Sequence, residues 1–191
     1  MKKINLGSGP VKGENGWTNI DLLDGADLNL DISSGLPLPQ DSIEMIYTSH
    51  FLEHLDYPTL CRVLKECHRV LRPGCALSIC VPDASKFIKA YIENDYQEVS
   101  LGMHQSLRVP SFLVTAGERI YAKALVTTGS AIDWLNYIAY SNSEHKYMFD
   151  SENLLSHLKL AGFGKVSLRE YDPSIDKSYG REASIYALGL K

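Results

Sequence analysis

The sequence predicts an α/β fold in which helices pack on a doubly wound, mostly parallel sheet. Short apolar runs alternate along the chain with segments whose apolar residues recur at helical spacing. The apolar run at 76–81 is typical of a strand buried on both faces, as in parallel sheets. With 191 residues, 45% of them hydrophobic, the chain is long enough to bury a full core. We therefore expect a single domain, residues 1–191.

Four strands are predicted in the first part of the chain, at 3–6, 18–23, 26–32 and 43–48. The first leads directly into a glycine turn at 7–10. The second and third carry Asp21 and Asp31, and the fourth is followed by Ser49 and His50. In doubly wound sheets the ligand crevice lies outside the carboxyl ends of the parallel strands. The strand ends are therefore the first candidates for a binding site.

Three helices are predicted, each from a capping aspartate followed by apolar residues at helical spacing; the caps are Asp56, Asp83 and Asp150. Pro58 falls in the first turn of the first helix, and the Arg-Pro-Gly at 72–74 ends that helix. Gly162 ends the third. Strands near 165–171 and 184–190 complete the predicted fold.

The segment 97–147 has a looser pattern, which we interpret as a helical cap or lid inserted into the domain. Helical stretches are expected near 112–126 and 131–140, and the segment is rich in tyrosine. Its aromatic residues are more typical of a cap core than of a substrate platform. The apolar content suggests an occluding lid and a homodimer contact.

Composition excludes several classes of partner. The formal net charge is −4 and no basic run extends beyond Lys2 and Lys3, so nucleic acid and anionic membranes are not expected partners. No stretch approaches the roughly 18 apolar residues of a membrane span. The four cysteines form no CxxC pair, which favours free thiols in a reducing cytoplasm and disfavours zinc.

The glycine turn and Asp21 together indicate a nucleoside site, because the carboxylate can accept from two ribose hydroxyls. Dinucleotide folds need a third glycine, a helix N-terminus for the pyrophosphate and an acid about 20 residues further on. Here Gly9 and Asp21 are twelve residues apart, and the loop at 11–17 is too short for the usual crossover helix. A nicotinamide-dependent reductase is thus the weaker alternative. S-adenosylmethionine, which carries no phosphate, fits better.

Four segments resemble the motifs of the class I S-adenosylmethionine-dependent methyltransferases, in particular the type-11-like group. They are Leu6-Gly7-Ser8-Gly9-Pro10, Asn19-Ile20-Asp21, the segment 49–55 (SHFLEHL) and the segment 66–74 (ECHRVLRPG). The last is the most specific. The resemblance implies a Rossmann-like sheet of about seven strands with an antiparallel C-terminal strand. Here that sheet is shortened between strands 1 and 3.

The resemblance also implies which residues bind the cofactor, S-adenosylmethionine. The glycine turn would approach its methionine part, Asp21 would hold the ribose, and Asp31 with Ile32 would line the adenine. Ser49 and His50 would close the pocket. The full set of expected cofactor-binding residues is Leu6, Gly7, Ser8, Gly9, Asp21, Leu22, Asp31, Ile32, Ser49 and His50.

Three histidines are candidates for a general base, because imidazole titrates near neutral pH. They are His50, His54 and His145, although a histidine that only bonds a loop is nearly as good an interpretation. His50 and His54 are four residues apart but lack the HExxH pattern, so no metal is expected. Asp83, either a helix cap or a substrate contact, and Tyr147 are the candidate substrate residues.

The expected function is metal-independent methyl transfer, driven by positioning, by in-line displacement at the sulfonium carbon. The acceptor would be a small or medium polar molecule, or a glycan- or lipid-like one, methylated on oxygen or nitrogen. The alternative is a regulatory or partner protein that binds S-adenosylmethionine or S-adenosylhomocysteine without catalysis.

Overall fold

The computed structural model describes residues 2–102, 105–115, 128–178 and 180–191. Its main feature is a seven-stranded sheet with the order β3-β2-β1-β4-β5-β9-β8. These strands are β1 (Lys3–Leu6), β2 (Trp17–Asp21), β3 (Leu28–Asn29), β4 (Ile43–Ser49), β5 (Leu71–Pro82), β8 (Lys165–Leu168) and β9 (Ser184–Leu190). The first five pair in parallel, and β9 runs antiparallel to both β5 and β8. The predicted α/β sheet with its antiparallel C-terminal strand is confirmed.

Two capped helices cover one face of this sheet. Helix α1 (Tyr57–Val70) begins where the Asp56 carboxylate accepts the backbone N–H of Thr59 at 2.9 Å. Helix α5 (Ser151–Leu160) begins with a capping box between Asp150 and Asn153. The apolar side of α1 is buried with strand residues in one core, as its helical spacing predicts; that side consists of Leu60, Val63, Leu64, Cys67 and Val70.

Strand β3 is much shorter than predicted. The run at 26–32 forms only the two residues of β3, and the chain then enters a 3-10 turn, Ile32–Ser34. The Asp31 carboxylate accepts the backbone N–H of Ser33 at 2.9 Å, so it caps this turn. Local side-chain hydrogen bonding therefore competes with the ladder at this edge of the sheet.

The connection between β1 and β2, residues 7–16, contains no helix, as the short spacing predicts. One carboxylate oxygen of Asp27 holds it in place by accepting the N–H of Gly13 at 2.8 Å and that of Asn19 at 2.9 Å. The amides of Asn19 and Gly13 keep the pKa of Asp27 below its ordinary value, since they stabilise the charged form. Hydrogen bonds to one acid thus replace helix packing in this crossover.

The segment expected to be a helical cap contains a β-hairpin that the sequence pattern does not predict. Its strands are β6 (Tyr96–Gly102) and β7 (Gln105–Pro110), joined in antiparallel register. Helix α2 (Ala84–Glu93) precedes the hairpin, and helices α3 (Ser111–Thr115) and α4 (Ile132–Tyr140) follow it. Helix α4 confirms the helix predicted at 131–140. Most of the stretch predicted at 112–126 lies outside the described residues.

Aromatic and aliphatic side chains join the hairpin, α2 and α4 in a second core. Phe87 and Trp134 stack with ring centroids 6.4 Å apart, and the Trp134 indole donates to the Arg108 carbonyl at 2.8 Å. These aromatic residues are packed in a core, as expected, and do not form a substrate platform.

Two further expectations concern the thiols and the membrane. All four cysteines are free. Among the described helices, none is both long and apolar enough to cross a membrane.

Candidate cofactor site

A cleft of about 400 Å³ opens at the carboxyl ends of β1, β2 and β4. This is where a sheet of this topology is expected to bind a ligand. The cleft is lined by Gly7, Asp21, Leu22, Leu30, Asp31, Ile32, Ser33, Phe51, His54, Leu55, Asp56, Thr59 and Lys146.

The glycine turn forms one wall of the cleft, and its two glycines have different roles. Both have positive φ, 67° at Gly7 and 75° at Gly9. A Cβ at Gly7 would lie 2.2 Å from Cγ of Phe51, so this position has room only for glycine. A Cβ at Gly9 would have no atom within 4 Å. Gly7 therefore serves packing, whereas Gly9 leaves open space beside the backbone.

Asp21 joins the turn to the end of β2. Its Oδ2 accepts the N–H of Gly9 at 2.8 Å, and its Oδ1 accepts the N–H of Leu23 at 2.9 Å. Each carboxylate oxygen can accept a further hydrogen bond. The carboxylate thus holds the turn in shape and still has acceptor capacity for a pair of ribose hydroxyls.

The opposite end of the cleft is built by the 3-10 turn that follows β3. Asp31, Ile32 and Ser33 line it together with Leu30. The hydroxyl and the amide of Ser33 both donate to Asp31 and lower the pKa of its carboxyl. A flat aromatic base would find an apolar surface beside hydrogen-bonding groups here.

The charge around the cleft favours a cationic ligand over a pyrophosphate. Three carboxylates line it, those of Asp21, Asp31 and Asp56, against the single ammonium group of Lys146. A pyrophosphate would be repelled by these acids, and residues 7–16 offer no helix N-terminus to bind one. The arrangement suits a nucleoside that carries a sulfonium.

Several of the expected cofactor residues do not line the cleft. Leu6 is fully buried, and Ser8 and Ser49 are nearly so. Gly9 is two residues after the lining residue Gly7, and His50 directly precedes the lining residue Phe51. The buried residues lie beneath the lining residues, and the other two lie at the edge of the cleft.

His50 points towards β5 and β9 instead of the cleft. Its Nε2 lies 3.2 Å from the Ser184 hydroxyl, and its Nδ1 lies 3.4 Å from Oε1 of Glu53. Burial opposes the charged imidazolium, but the neighbouring Cys80 and Glu53 outweigh it and raise the pKa of His50 to about 10. His50 therefore holds its proton at neutral pH.

The other two candidate bases lie together. The rings of His54 and His145 meet edge to face with centroids 5.1 Å apart, and His54 lines the cleft. The buried Glu53 belongs to the same cluster. Sequence reasoning missed Glu53 and Lys146, and the only available signal was their place beside the two histidines.

Asp83 and Tyr147, the candidate substrate residues, are occupied elsewhere. Asp83 caps α2 by accepting the N–H of Ser85 at 3.0 Å. The Tyr147 hydroxyl lies 2.9 Å from Nε2 of His157, within an aromatic cluster that also contains Tyr57. Neither residue lines the cleft.

Comparisons with known proteins agree with this geometry. A family model described as a methyltransferase domain matches residues 21–79, a segment that includes Asp21 and all of α1. No curated protein sequence matches the chain.

Three solved structures share the fold. An S-adenosylmethionine-dependent methyltransferase from Mesorhizobium loti has a TM-score of 0.56 and 16% identity, covering 100% of this chain and 90% of that one. One from Archaeoglobus fulgidus has a TM-score of 0.55 and 15% identity, covering 100% and 86%. The Burkholderia thailandensis 1,6-didemethyltoxoflavin-N1-methyltransferase, solved with bound 1,6-didemethyltoxoflavin and S-adenosylhomocysteine, has a TM-score of 0.53 and 11% identity, covering 99% and 71%.

The chain therefore has the fold of these S-adenosylmethionine-dependent methyltransferases, and its residues 21–79 match the methyltransferase-domain model.

Proposed function

We propose that the protein is an S-adenosylmethionine-dependent methyltransferase that methylates a hydroxyl or amine of a small or medium polar acceptor, either a small molecule or a glycan- or lipid-like one. The observation that carries the proposal is the cleft in which the glycine turn, Asp21 and the turn after β3 converge. When bound there, S-adenosylmethionine supplies an electrophilic methyl group on its sulfonium. Displacement at that carbon depends on alignment and itself needs no metal.

Each wall of the cleft has a proposed role. Asp21 accepts hydrogen bonds from the ribose hydroxyls, and Ile32 with Asp31 flanks the adenine. Gly9 lets the methionine part approach the backbone, where a side chain would obstruct it. Leu22, which is 71% exposed, covers the ribose from the solvent side.

The acceptor enters beside His54, where the inserted segment joins the core. The backbone N–H groups of Lys146 and Tyr147 both donate to the carbonyl of Glu53, at 2.8 Å and 3.1 Å. This junction brings His54 and Lys146 to the cleft together. The acceptor therefore contacts residues of the insertion as well as residues of the sheet.

Deprotonation of the acceptor belongs to the His54 and His145 cluster, not to His50. Since the pKa of His50 is raised to about 10, it carries no free lone pair at neutral pH.

We also propose that the protein is a homodimer joined through α2, because that helix exposes large apolar side chains.

The test of the cofactor site is calorimetric titration with S-adenosylhomocysteine. Asp21→Asn removes the charge but keeps an acceptor for the glycine turn, so we expect affinity to fall at least tenfold, about 1.5–3 kcal/mol. Asp24→Asn is the matched control, an exposed acid of the same loop that does not line the cleft. It should bind like the wild type. Wild-type protein that binds no S-adenosylhomocysteine would overturn the proposal.

A further inference from the structure

Glu53 is a buried carboxylate whose charge lacks a full set of partners. Its side chain is 2% exposed, and neither oxygen has a hydrogen-bond partner among the described residues. The imidazolium of His50 forms an ion pair with it, with Nδ1 3.4 Å from Oε1. Burying a carboxylate without hydrogen bonds is costly, and both oxygens can still accept a donor or bind a further cation.

His54 and His145 present lone pairs beside this carboxylate. Nδ1 of His54 lies 3.1 Å from the Glu144 carbonyl, and Nδ1 of His145 lies 2.9 Å from the Ile138 carbonyl. A carbonyl oxygen can only accept, so each Nδ1 carries the proton and each Nε2 keeps its lone pair. Histidines that bind metals show this pattern, in which a backbone carbonyl fixes the tautomer and orients the ring.

The three side chains are close enough to share one ion. One ligand atom from each of Glu53, His54 and His145 lies within 4.8 Å of the others. In a tetrahedral zinc site with bonds of about 2.0–2.1 Å, ligand atoms lie about 3.4 Å apart. The three side chains would therefore have to move closer together on binding an ion. The Glu53 carbonyl accepts the backbone N–H of Lys146 at 2.8 Å, which holds His145 near Glu53.

We propose that Glu53, His54 and His145 bind a divalent transition metal, zinc being the ion that best suits two imidazoles and one carboxylate. Three protein ligands leave a coordination position open, and His54 places that position beside the cleft. There the metal would bind an acceptor hydroxyl oxygen and lower its pKa, so that the proton passes to solvent water and the resulting alkoxide, which keeps a free lone pair, attacks the methyl carbon. This role rests on the proposed function, whereas metal binding itself does not.

The test is zinc titration of the chelator-treated 191-residue chain by calorimetry, with cobalt absorption spectra as a second readout. We expect one equivalent of zinc to bind. Glu53→Gln and His145→Ala should each weaken binding at least tenfold, because even loss of an outer hydrogen-bond partner costs 10–100-fold. His68→Ala is the matched control, since His68 packs against Phe163 and is not part of the cluster.

Absence of saturable binding, or equal affinity in Glu53→Gln, His145→Ala and wild type, would overturn the proposal. If Glu53→Gln fails to fold, the half-buried His145 provides the deciding variant. Titration of the same samples with S-adenosylhomocysteine separates the two proposals. Zinc binding without S-adenosylhomocysteine binding would refute the proposed function alone. Binding of S-adenosylhomocysteine without zinc binding would refute the metal site alone.

Discussion

At the scale of single residues, the turn after β1 contains two glycines, Gly7 and Gly9, that are needed for different reasons. Gly7 and Gly9 have nearly the same φ, so the backbone cost of a side chain is similar at both, about 1–2 kcal/mol. Only Gly7 meets a neighbour, the ring of Phe51. Gly9 faces the open space that the proposed ligand would fill.

Alanine at these two positions should therefore separate stability from binding. We expect Gly7→Ala to lower the free energy of unfolding by a further 1–3 kcal/mol, roughly, relative to Gly9→Ala, because it also overpacks Phe51. Gly9→Ala should instead weaken S-adenosylhomocysteine binding more than it lowers stability. Denaturant melts and calorimetry measure the two quantities. Adding Phe51→Ala to Gly7→Ala should recover part of the lost stability, and strict additivity would contradict the packing explanation.

At the scale of elements, a polar network joins the segment between β8 and β9 to strands β4 and β5. Asp176, whose side chain is fully buried, accepts two hydrogen bonds from Arg169, at 2.6 Å and 2.7 Å, and one from the Tyr47 hydroxyl at 3.1 Å. The Arg169 guanidinium also lies over the ring of Tyr186, 5.0 Å from its centroid. The network fixes the segment between β8 and β9 onto the centre of the sheet.

Breaking this network should be costly. Asp176→Ala leaves the Arg169 charge buried and unpaired, so we expect a loss of about 3–5 kcal/mol in thermal or denaturant unfolding. Glu170→Ala, an exposed neighbour, is the control and should change little.

Burial would raise the pKa of Asp176, but hydrogen bonds from Arg169 and from the backbone lower it overall. Its contribution is therefore present above the unfolded-state pKa of about 3.9 and lost as the pH falls through the lower folded value. If Asp176→Ala unfolds in acid with the same pH dependence as the wild type, the proposed contribution of Asp176 is wrong.

At the scale of the whole molecule, the main core and the cap core meet at α2 and at the junction near Glu53. Helix α2 buries Phe87 in the cap but exposes Ile88, Tyr91 and Ile92, the last to 76%. Exposed apolar side chains clustered on one helix are typical of an association surface. This observation supports the proposed homodimer.

Light scattering on the purified chain tests that assembly. We expect twice the chain mass of 21.3 kDa, and a shift towards the monomer in Ile92→Glu, which places a charge on the exposed face. Lys89→Glu on the same helix is a control that alters charge without removing an apolar contact. A monomeric wild type at all concentrations would rule out the dimer.

The sequence by itself determined the features whose physical cause lies within a few residues. Capping aspartates located α1 and α5, because a cap acts on amides two or three positions away. Glycine spacing located the turn after β1, and the distance from Gly9 to Asp21 argued against a dinucleotide. The positions of Asp21 and Asp31 at the cleft followed from the sheet topology.

Only the tertiary structure decided what depends on contacts between distant parts of the chain. The run at 26–32 has strand character, yet the local bonds of Asp31 end the strand early. The β6–β7 hairpin depends on burial against Trp134, which no local pattern encodes. Glu53 and His145 are far apart in sequence and become neighbours only when the insertion folds back on the core. Their chemistry as a cluster is a property of that long-range packing.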